Sequence, residues 1–166
     1  DPDLWLATQV AELLAVPKDN FAVSFDVHPD GASAALSASW YNEEGKPVIQ
    51  LLDYRAGLSW LPNVLAKLMQ EHRNLPIVFD SVGQNSAVFQ ELQRKRGLNM
   101  NNIHILSMKD ASAGVNLLLS AIKDKALVHA KDSDLDTAVE GASFRLVGDS
   151  RLFGRRNSRE DISPLV

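Results

Sequence analysis

The sequence predicts an α/β fold, with a mixed five-stranded sheet flanked by helices and an added C-terminal β-hairpin. Two observations predict this class. Three strand-like segments follow one another with only short polar turns between them, and after them helical and strand-like segments alternate. At 166 residues and 45% apolar composition, the chain is long enough to form one domain with its own core.

A leading helix and three antiparallel strands are expected in the first part of the chain. Apolar residues at helical spacing within 4–14 predict the helix, and Pro17 closes it. In FAVSFDV, residues 21–27, apolar residues alternate with small or polar ones, as in a strand with one buried face. Further strands are expected at 33–41 and 47–54. The turns HPDGAS and NEEGK between them are short, which predicts an antiparallel meander.

Helices and strands alternate in the rest of the chain. Apolar spacing predicts helices in LSWLPNVLAKLMQEH, in SAVFQELQRKR and after Asp110, and short apolar runs predict strands in PIVFD and IHIL. Beyond them, ALVHA is a strand or a turn, DLDTAVEGA is a short helix, and SFRLVGD with RLFGRR predicts the hairpin. A last helix is expected from about Ser158, truncated by the end of the sequence.

The order of the strands follows from their connections. A helical crossover is right-handed and delivers the fourth strand parallel to the first, where an edge of the meander is free. The predicted order is therefore 3-2-1-4-5, which is that of the ribonuclease H-like fold.

Composition excludes several classes of protein. The chain has no cysteine, which excludes disulfides, Cys-ligated zinc and thiol nucleophiles, and no apolar run is long enough for a membrane span. The formal net charge of −4 argues against a general nucleic-acid binder. However, arginines cluster near the C-terminus, where they could form a local basic face for phosphates: Arg145, Arg151, Arg155, Arg156 and Arg159.

Two carboxylates lie at predicted strand ends. Asp26 is near the end of the first strand and Asp80 ends the fourth, so the predicted sheet places them at neighbouring tips, where open sheets bind ligands. Such a pair repels, and a divalent cation is the usual compensation. Oxygen ligands select Mg²⁺ or Mn²⁺, and two such ions can hydrolyse a phosphodiester. Asp161 is the best candidate for a third acid, because it precedes the predicted last helix within the arginine-rich segment.

Each acid also has a structural interpretation. Asp80 could cap the helix that follows it, Asp26 could lie on the exposed face of an edge strand, and Asp161 could favour a helix N-terminus. Asp149 is an alternative third acid. The HPDG stretch after Asp26 could approach the metals but is more often only a turn.

Three stretches carry a resemblance to a known family. VSFDVH, PIVFDSVG and above all SREDISPLV resemble the nuclease domain of the large terminase subunit of tailed bacteriophages, particularly the actinobacterial phage type. The resemblance implies a ribonuclease H-like endonuclease that cuts concatemeric viral DNA during packaging, with two Mg²⁺ or Mn²⁺ ions. By motif, it implies that Asp26, Asp80 and Asp161 are the catalytic residues and metal ligands.

The resemblance also implies partners and a domain division. Family members carry an ATPase motor in the same polypeptide, act on double-stranded DNA with the portal and the small terminase subunit, and work in the cytoplasm of the infected bacterial host. No GxxxxGK[ST] motif is present, so we expect 1–20 to be a leading helix or linker from an absent ATPase domain and 21–166 to be the nuclease domain. Arg151, Arg155, Arg156 and Arg159 are the expected DNA-binding residues.

Two other functions fit the same residues. A transposase, integrase or junction resolvase would keep the fold and the metal site but transfer strands or resolve junctions. A non-catalytic DNA-binding or docking module would use the acids only as structural groups.

Overall fold

The computed structural model describes residues 1–166, apart from the side chain of Asn157. The helices are α1 (Pro2–Leu6), α2 (Leu61–Glu71), α3 (Asn85–Arg94), α4 (Met108–Lys123) and α5 (Ser133–Gly141), with 3₁₀ turns at Met100–Asn102 and Arg155–Asn157. The strands are β1 (Gln9–Val10), β2 (Phe21–Val27), β3 (Ser33–Tyr41), β4 (Pro47–Ala56), β5 (Ile77–Asp80), β6 (Ile103–Leu106), β7 (Val128–Ala130), β8 (Phe144–Val147) and β9 (Ser150–Phe153). None of the helices described here is long and apolar enough to cross a membrane.

Seven strands form one sheet in the order β1-β7-β4-β3-β2-β5-β6, and β8 pairs with β9 in a separate hairpin. β2, β3 and β4 are the antiparallel meander, and β5 and β6 continue the sheet parallel to β2. The predicted order of five strands and the hairpin are thus confirmed. The predicted number of strands in the sheet is too low, because β1 and β7 extend it beyond β4. With two and three residues, these strands are too short to show a periodicity.

Both ends of the chain differ from the predicted helices. α1 ends at Leu6, and the segment after it pairs with β7, where the carbonyl of Val10 accepts from the N–H of Lys131 at 3.0 Å. Gln9 and Val10 therefore join the main sheet as β1. At the other end, the chain forms only the short 3₁₀ turn, and within the described residues no α-helix begins at Ser158.

The sheet has a core on each face. On one face, α2 and α3 contribute Leu65 and Leu92 to a cluster that includes Phe25 of β2. On the other, Trp5 and Leu135 pack with Ala35 of β3. Residues directly opposite in an antiparallel pair point to the same face, and Asp26 pairs with Ala35, so the Asp26 side chain lies on this second face.

Candidate active site

Asp26 is a buried carboxylate on a central strand. It is 3% exposed and lies on β2, between β3 and β5, so its interpretation as an exposed residue of an edge strand is wrong. Burial raises the pKa of Asp26, because the charged form loses hydration, while the charge and hydrogen bond of Arg155 and the amide of Asn85 oppose that rise. The nearby charge of Asp80 adds a smaller contribution to the raised pKa of Asp26.

Asn85 joins the two strand ends. Its Nδ2 donates to Asp26 Oδ1 at 3.1 Å and to the Asp80 carbonyl at 3.0 Å, and it lies 3.5 Å from Asp80 Oδ1. Its Oδ1 accepts from the N–H of Val27 at 2.8 Å. Asn85 is 2% exposed, so these bonds form away from solvent. Asn85 is not among the site residues predicted from the sequence; the signal available was an amide five positions after Asp80, at the start of a helix.

Asp80 ends β5 without capping the following helix. Its Oδ1 accepts from the N–H of Val82 at 2.9 Å, which closes a local turn. α3 begins only at Asn85, and the residue at its N-cap is Gln84, which makes no side-chain capping bond. The interpretation of Asp80 as the cap of α3 is therefore wrong, and its carboxylate lies at the strand end beside Asp26.

Arg155 differs from the other predicted DNA-binding arginines. Its Nη2 donates to Asp26 Oδ2 in a short ion pair, and its Nη1 donates to Ser163 Oγ at 3.1 Å. Its side chain is 26% exposed. By contrast, Arg151, Arg156 and Arg159 are exposed. Arg155 is thus the counter-ion of the buried carboxylate in this structure, whereas the other three are exposed, with the guanidinium of Arg151 lying 5.4 Å from the ring centroid of Phe144.

Asp161 has its own set of donors. Its Oδ2 accepts from Tyr54 Oη at 2.7 Å and from Ser33 Oγ in a short bond, and its Oδ1 accepts from the N–H of Ser163 at 2.9 Å. Partial burial works against ionisation, but these hydrogen bonds outweigh it and lower the pKa of Asp161 to about 2. Burial and the bond to Asp161 raise the pKa of Tyr54 to about 12.

The three predicted acids lie in two linked groups. Asn85 brings Asp26 and Asp80 together, whereas Asp161 binds Ser33, two positions along β3 from the partner of Asp26. The groups are connected through Arg155, which contacts both Asp26 and Ser163. Among the described side chains, no three His, Cys, Asp or Glu residues are grouped so that they could hold one metal ion together.

The donor chemistry nevertheless fits a divalent cation. Asp26 and Asp80 offer carboxylate oxygens, which Mg²⁺ and Mn²⁺ prefer. The buried carboxylate of Asp26 is also already paired with a positive charge, as a carboxylate in this position requires. The position of Asp26 therefore calls for a positive charge, which Arg155 supplies in this structure.

Two other acidic positions lie outside this arrangement. Asp30 Oδ1 accepts from the N–H of Ala32 at 2.8 Å and contacts His28 Nδ1 at 2.6 Å, so the HPDG stretch forms the turn that its composition predicts. Asp149 lies in the exposed turn between β8 and β9.

Solved structures of phage large terminases share this fold. The large terminase of bacteriophage HK97 has a TM-score of 0.74 and 11% identity over 99% of this chain. The present chain spans only 41% of the length of the HK97 protein. The large terminase nuclease of thermophilic phage G20c has a TM-score of 0.62 and 14% identity, covering 87% of this chain and 78% of that one. The g2p (large terminase) nuclease domain of bacteriophage SPP1, with bound Mn, has a TM-score of 0.53 and 13% identity, and the match covers 90% of this chain and 89% of that one.

These likenesses confirm the predicted ribonuclease H-like fold and the predicted resemblance to large terminase nuclease domains. No family model and no curated protein sequence matches the chain. The actinobacterial phage type stays a prediction.

Proposed function

We propose that the chain is a metal-dependent DNA endonuclease domain of the phage large-terminase type, which cuts concatemeric DNA during genome packaging. The observation that carries the proposal is the buried carboxylate of Asp26 beside Asp80 at the tips of two neighbouring parallel strands. A fold shared with terminase nucleases, one of them solved with bound Mn, supports it.

Each polar residue has a role in this proposal. Asp26 and Asp80 would hold Mg²⁺ or Mn²⁺, two ions in all, and Asp161 would supply the third carboxylate. When bound, such ions lower the pKa of a water molecule and stabilise negative charge on the leaving oxygen in phosphodiester hydrolysis. Asn85 orients Asp26 and Asp80 through its amide. Ser33 and Tyr54 keep Asp161 ionised.

The exposed arginines define the DNA side of the domain. Arg151, Arg156 and Arg159 would contact backbone phosphates of double-stranded DNA, because exposed guanidinium groups bind phosphates without reading base sequence. Further proposals follow from the terminase likeness. The domain would work with an ATPase domain of the same polypeptide, with the portal and with the small terminase subunit, in the cytoplasm of the infected bacterial host.

A plasmid assay tests the proposal. The purified chain is incubated with supercoiled plasmid and Mn²⁺, Mg²⁺ or EDTA, with Asp26→Ala and Asp80→Ala as inactive controls. We expect nicked and linear plasmid with either metal and none with EDTA. Cleavage that survives EDTA would overturn the metal mechanism. Joining of donor ends instead of hydrolysis would favour a transposase-type enzyme, and metal-independent DNA binding without cleavage would favour a non-catalytic module.

A further inference from the structure

Both oxygens of the Asp26 carboxylate accept hydrogen bonds in this structure. Oδ1 accepts from Asn85 and Oδ2 accepts from Arg155, in an environment that leaves Asp26 3% exposed. Asn85 is neutral and can stay in place beside a cation. Arg155 is positively charged and contacts Oδ2 of Asp26. A divalent cation bound to that oxygen would be repelled by the guanidinium at short range.

The guanidinium of Arg155 lies at the surface side of the site. Arg155 begins a 3₁₀ turn of only three residues, which follows the hairpin of β8 and β9. Its side chain is 26% exposed, and its other side-chain hydrogen bond is to Ser163 Oγ. The side chain can therefore turn towards solvent without opening either core of the sheet.

We propose that Arg155 is an internal counter-ion that competes with the metal for Asp26, and so sets the metal concentration at which the site fills. The proposal rests on the proposed function, because it takes Asp26 to be a metal ligand. A buried carboxylate is costly without a positive partner. Arg155 supplies that partner in the metal-free domain, and a divalent cation replaces it when the site fills. The competition regulates the site: the metal-free domain is stable, and metal enters only when it outcompetes the guanidinium.

Metal binding without DNA provides the direct test. Mn²⁺ affinity is measured by isothermal titration calorimetry for the parent chain, for Arg155→Gln and for Arg156→Gln. Arg156→Gln is a matched control, since Arg156 is the exposed neighbour of Arg155 and its substitution removes the same charge. We expect Arg155→Gln to bind Mn²⁺ about tenfold more tightly than the parent, because the nearest positive charge is removed. Arg156→Gln should stay within about twofold, because an exposed charge is screened.

Thermal unfolding supplies a second measurement. Without metal, Arg155→Gln leaves Asp26 without a cation and should melt below the parent, and Mn²⁺ should raise its melting temperature more than it raises that of the parent. Ser163→Ala covers the case in which Arg155→Gln does not fold. It removes the hydrogen bond between Arg155 Nη1 and Ser163 Oγ. The Ser163 hydroxyl also helps to lower the pKa of Asp161, but the bonds from Ser33, Tyr54 and the Ser163 N–H remain and keep Asp161 ionised. Mn²⁺ binding should therefore tighten in the same direction by a smaller factor.

The outcomes separate this proposal from the proposed function. Equal Mn²⁺ affinity in the parent, Arg155→Gln and Ser163→Ala would overturn the competition even if the parent cuts plasmid. Tighter binding by Arg155→Gln, with no plasmid cleavage by the parent at saturating Mn²⁺, would uphold the competition and overturn the nuclease. Absence of Mn²⁺ binding in every variant would overturn both.

Discussion

Asn85 Nδ2 donates to Asp26 Oδ1 at 3.1 Å, across 59 positions of the sequence. The same amide group donates to the carbonyl of Asp80. One buried side chain thus bridges the ends of β2 and β5 and contacts both residues whose carboxylates are proposed to bind metal.

Asn85→Ala should impair both stability and cleavage. The N–H of Val27 and Asp26 Oδ1 would lose their buried partner, which costs about 1 to 3 kcal/mol of unfolding free energy. That corresponds to a fall in melting temperature of roughly 2 to 10 °C for a domain of this size. Gln84→Ala is the control, because Gln84 makes no capping bond and should change neither property. Full plasmid cleavage by Asn85→Ala at an unchanged melting temperature would contradict this role.

Asp26→Asn and Asp80→Asn should both stabilise the metal-free domain. Asp80→Asn removes a charge that repels Asp26, so its melting temperature should rise by about 1 to 3 °C. Asp26→Asn removes a buried charge whose pKa is raised by burial, and the guanidinium of Arg155 can turn to solvent, so its melting temperature should rise by at least as much. Differential scanning fluorimetry in EDTA measures both changes. A fall for Asp26→Asn would show that the ion pair with Arg155 outweighs the cost of burying the carboxylate.

Catalysis should require all three acids. Asp26→Ala, Asp80→Ala and Asp161→Ala should each abolish plasmid cleavage with Mn²⁺, because each removes a proposed metal ligand. Circular dichroism should show that the fold is retained. If Asp161→Ala cuts at the parent rate, Asp149→Ala becomes the next variant to test.

The exposed arginines should govern DNA affinity and its salt dependence. Arg156→Ala combined with Arg159→Ala should reduce the magnitude of the slope of log affinity against log salt by about two, since each lost phosphate contact removes about one unit. Lys18→Ala with Arg73→Ala removes the same charge near a groove at the other end of β2 and serves as the control. Equal salt slopes in the two double variants would show that DNA phosphates do not contact Arg156 and Arg159.

Tyr54 provides a pH test of the Asp161 group. Its raised pKa means that its contribution to stability is present below about pH 10, the usual pKa of tyrosine, and is lost as pH rises through about 12. Ultraviolet titration should therefore show one phenol ionising late, and Asp161→Asn should move that ionisation to lower pH. Tyr41, the other tyrosine, is exposed. A late ionisation unchanged in Asp161→Asn would contradict the contact.

Gly141→Ala should disturb the segment that carries Asp161. A Cβ at Gly141 would lie 3.0 Å from the Cβ and Cγ of Glu160 and 3.2 Å from its backbone nitrogen, so the chain just before Asp161 must shift. We expect reduced cleavage with secondary structure unchanged. Gly114→Ala is the control, because a Cβ added there would meet no atom within 4 Å; in the α4 interior it should stabilise the domain by about 0.5 to 1 kcal/mol. Equal activity in the two variants would show that this packing does not position Asp161.

The strand order and the pair Asp26 and Asp80 were predictable from the sequence by itself. Alternation in β2, short turns in the meander and the right-handed crossover depend on neighbouring residues and on general rules of chain connection. β1 escaped prediction, and β7 was predicted only as a strand or a turn in ALVHA, because two or three residues carry no periodicity. Their place in the sheet depends on the pairing of β1 with β7, more than a hundred residues away.

Only the tertiary structure decided which partners surround the acids. Arg155 is 129 positions from Asp26, and Ser33 is 128 positions from Asp161, so no local pattern connects either pair. From the sequence, Arg155 was equivalent to its exposed neighbours and Asn85 was one polar residue among several at a helix start. Burial distinguishes them: a carboxylate that loses its water must take hydrogen bonds and a counter-charge from whichever side chains the fold brings within reach.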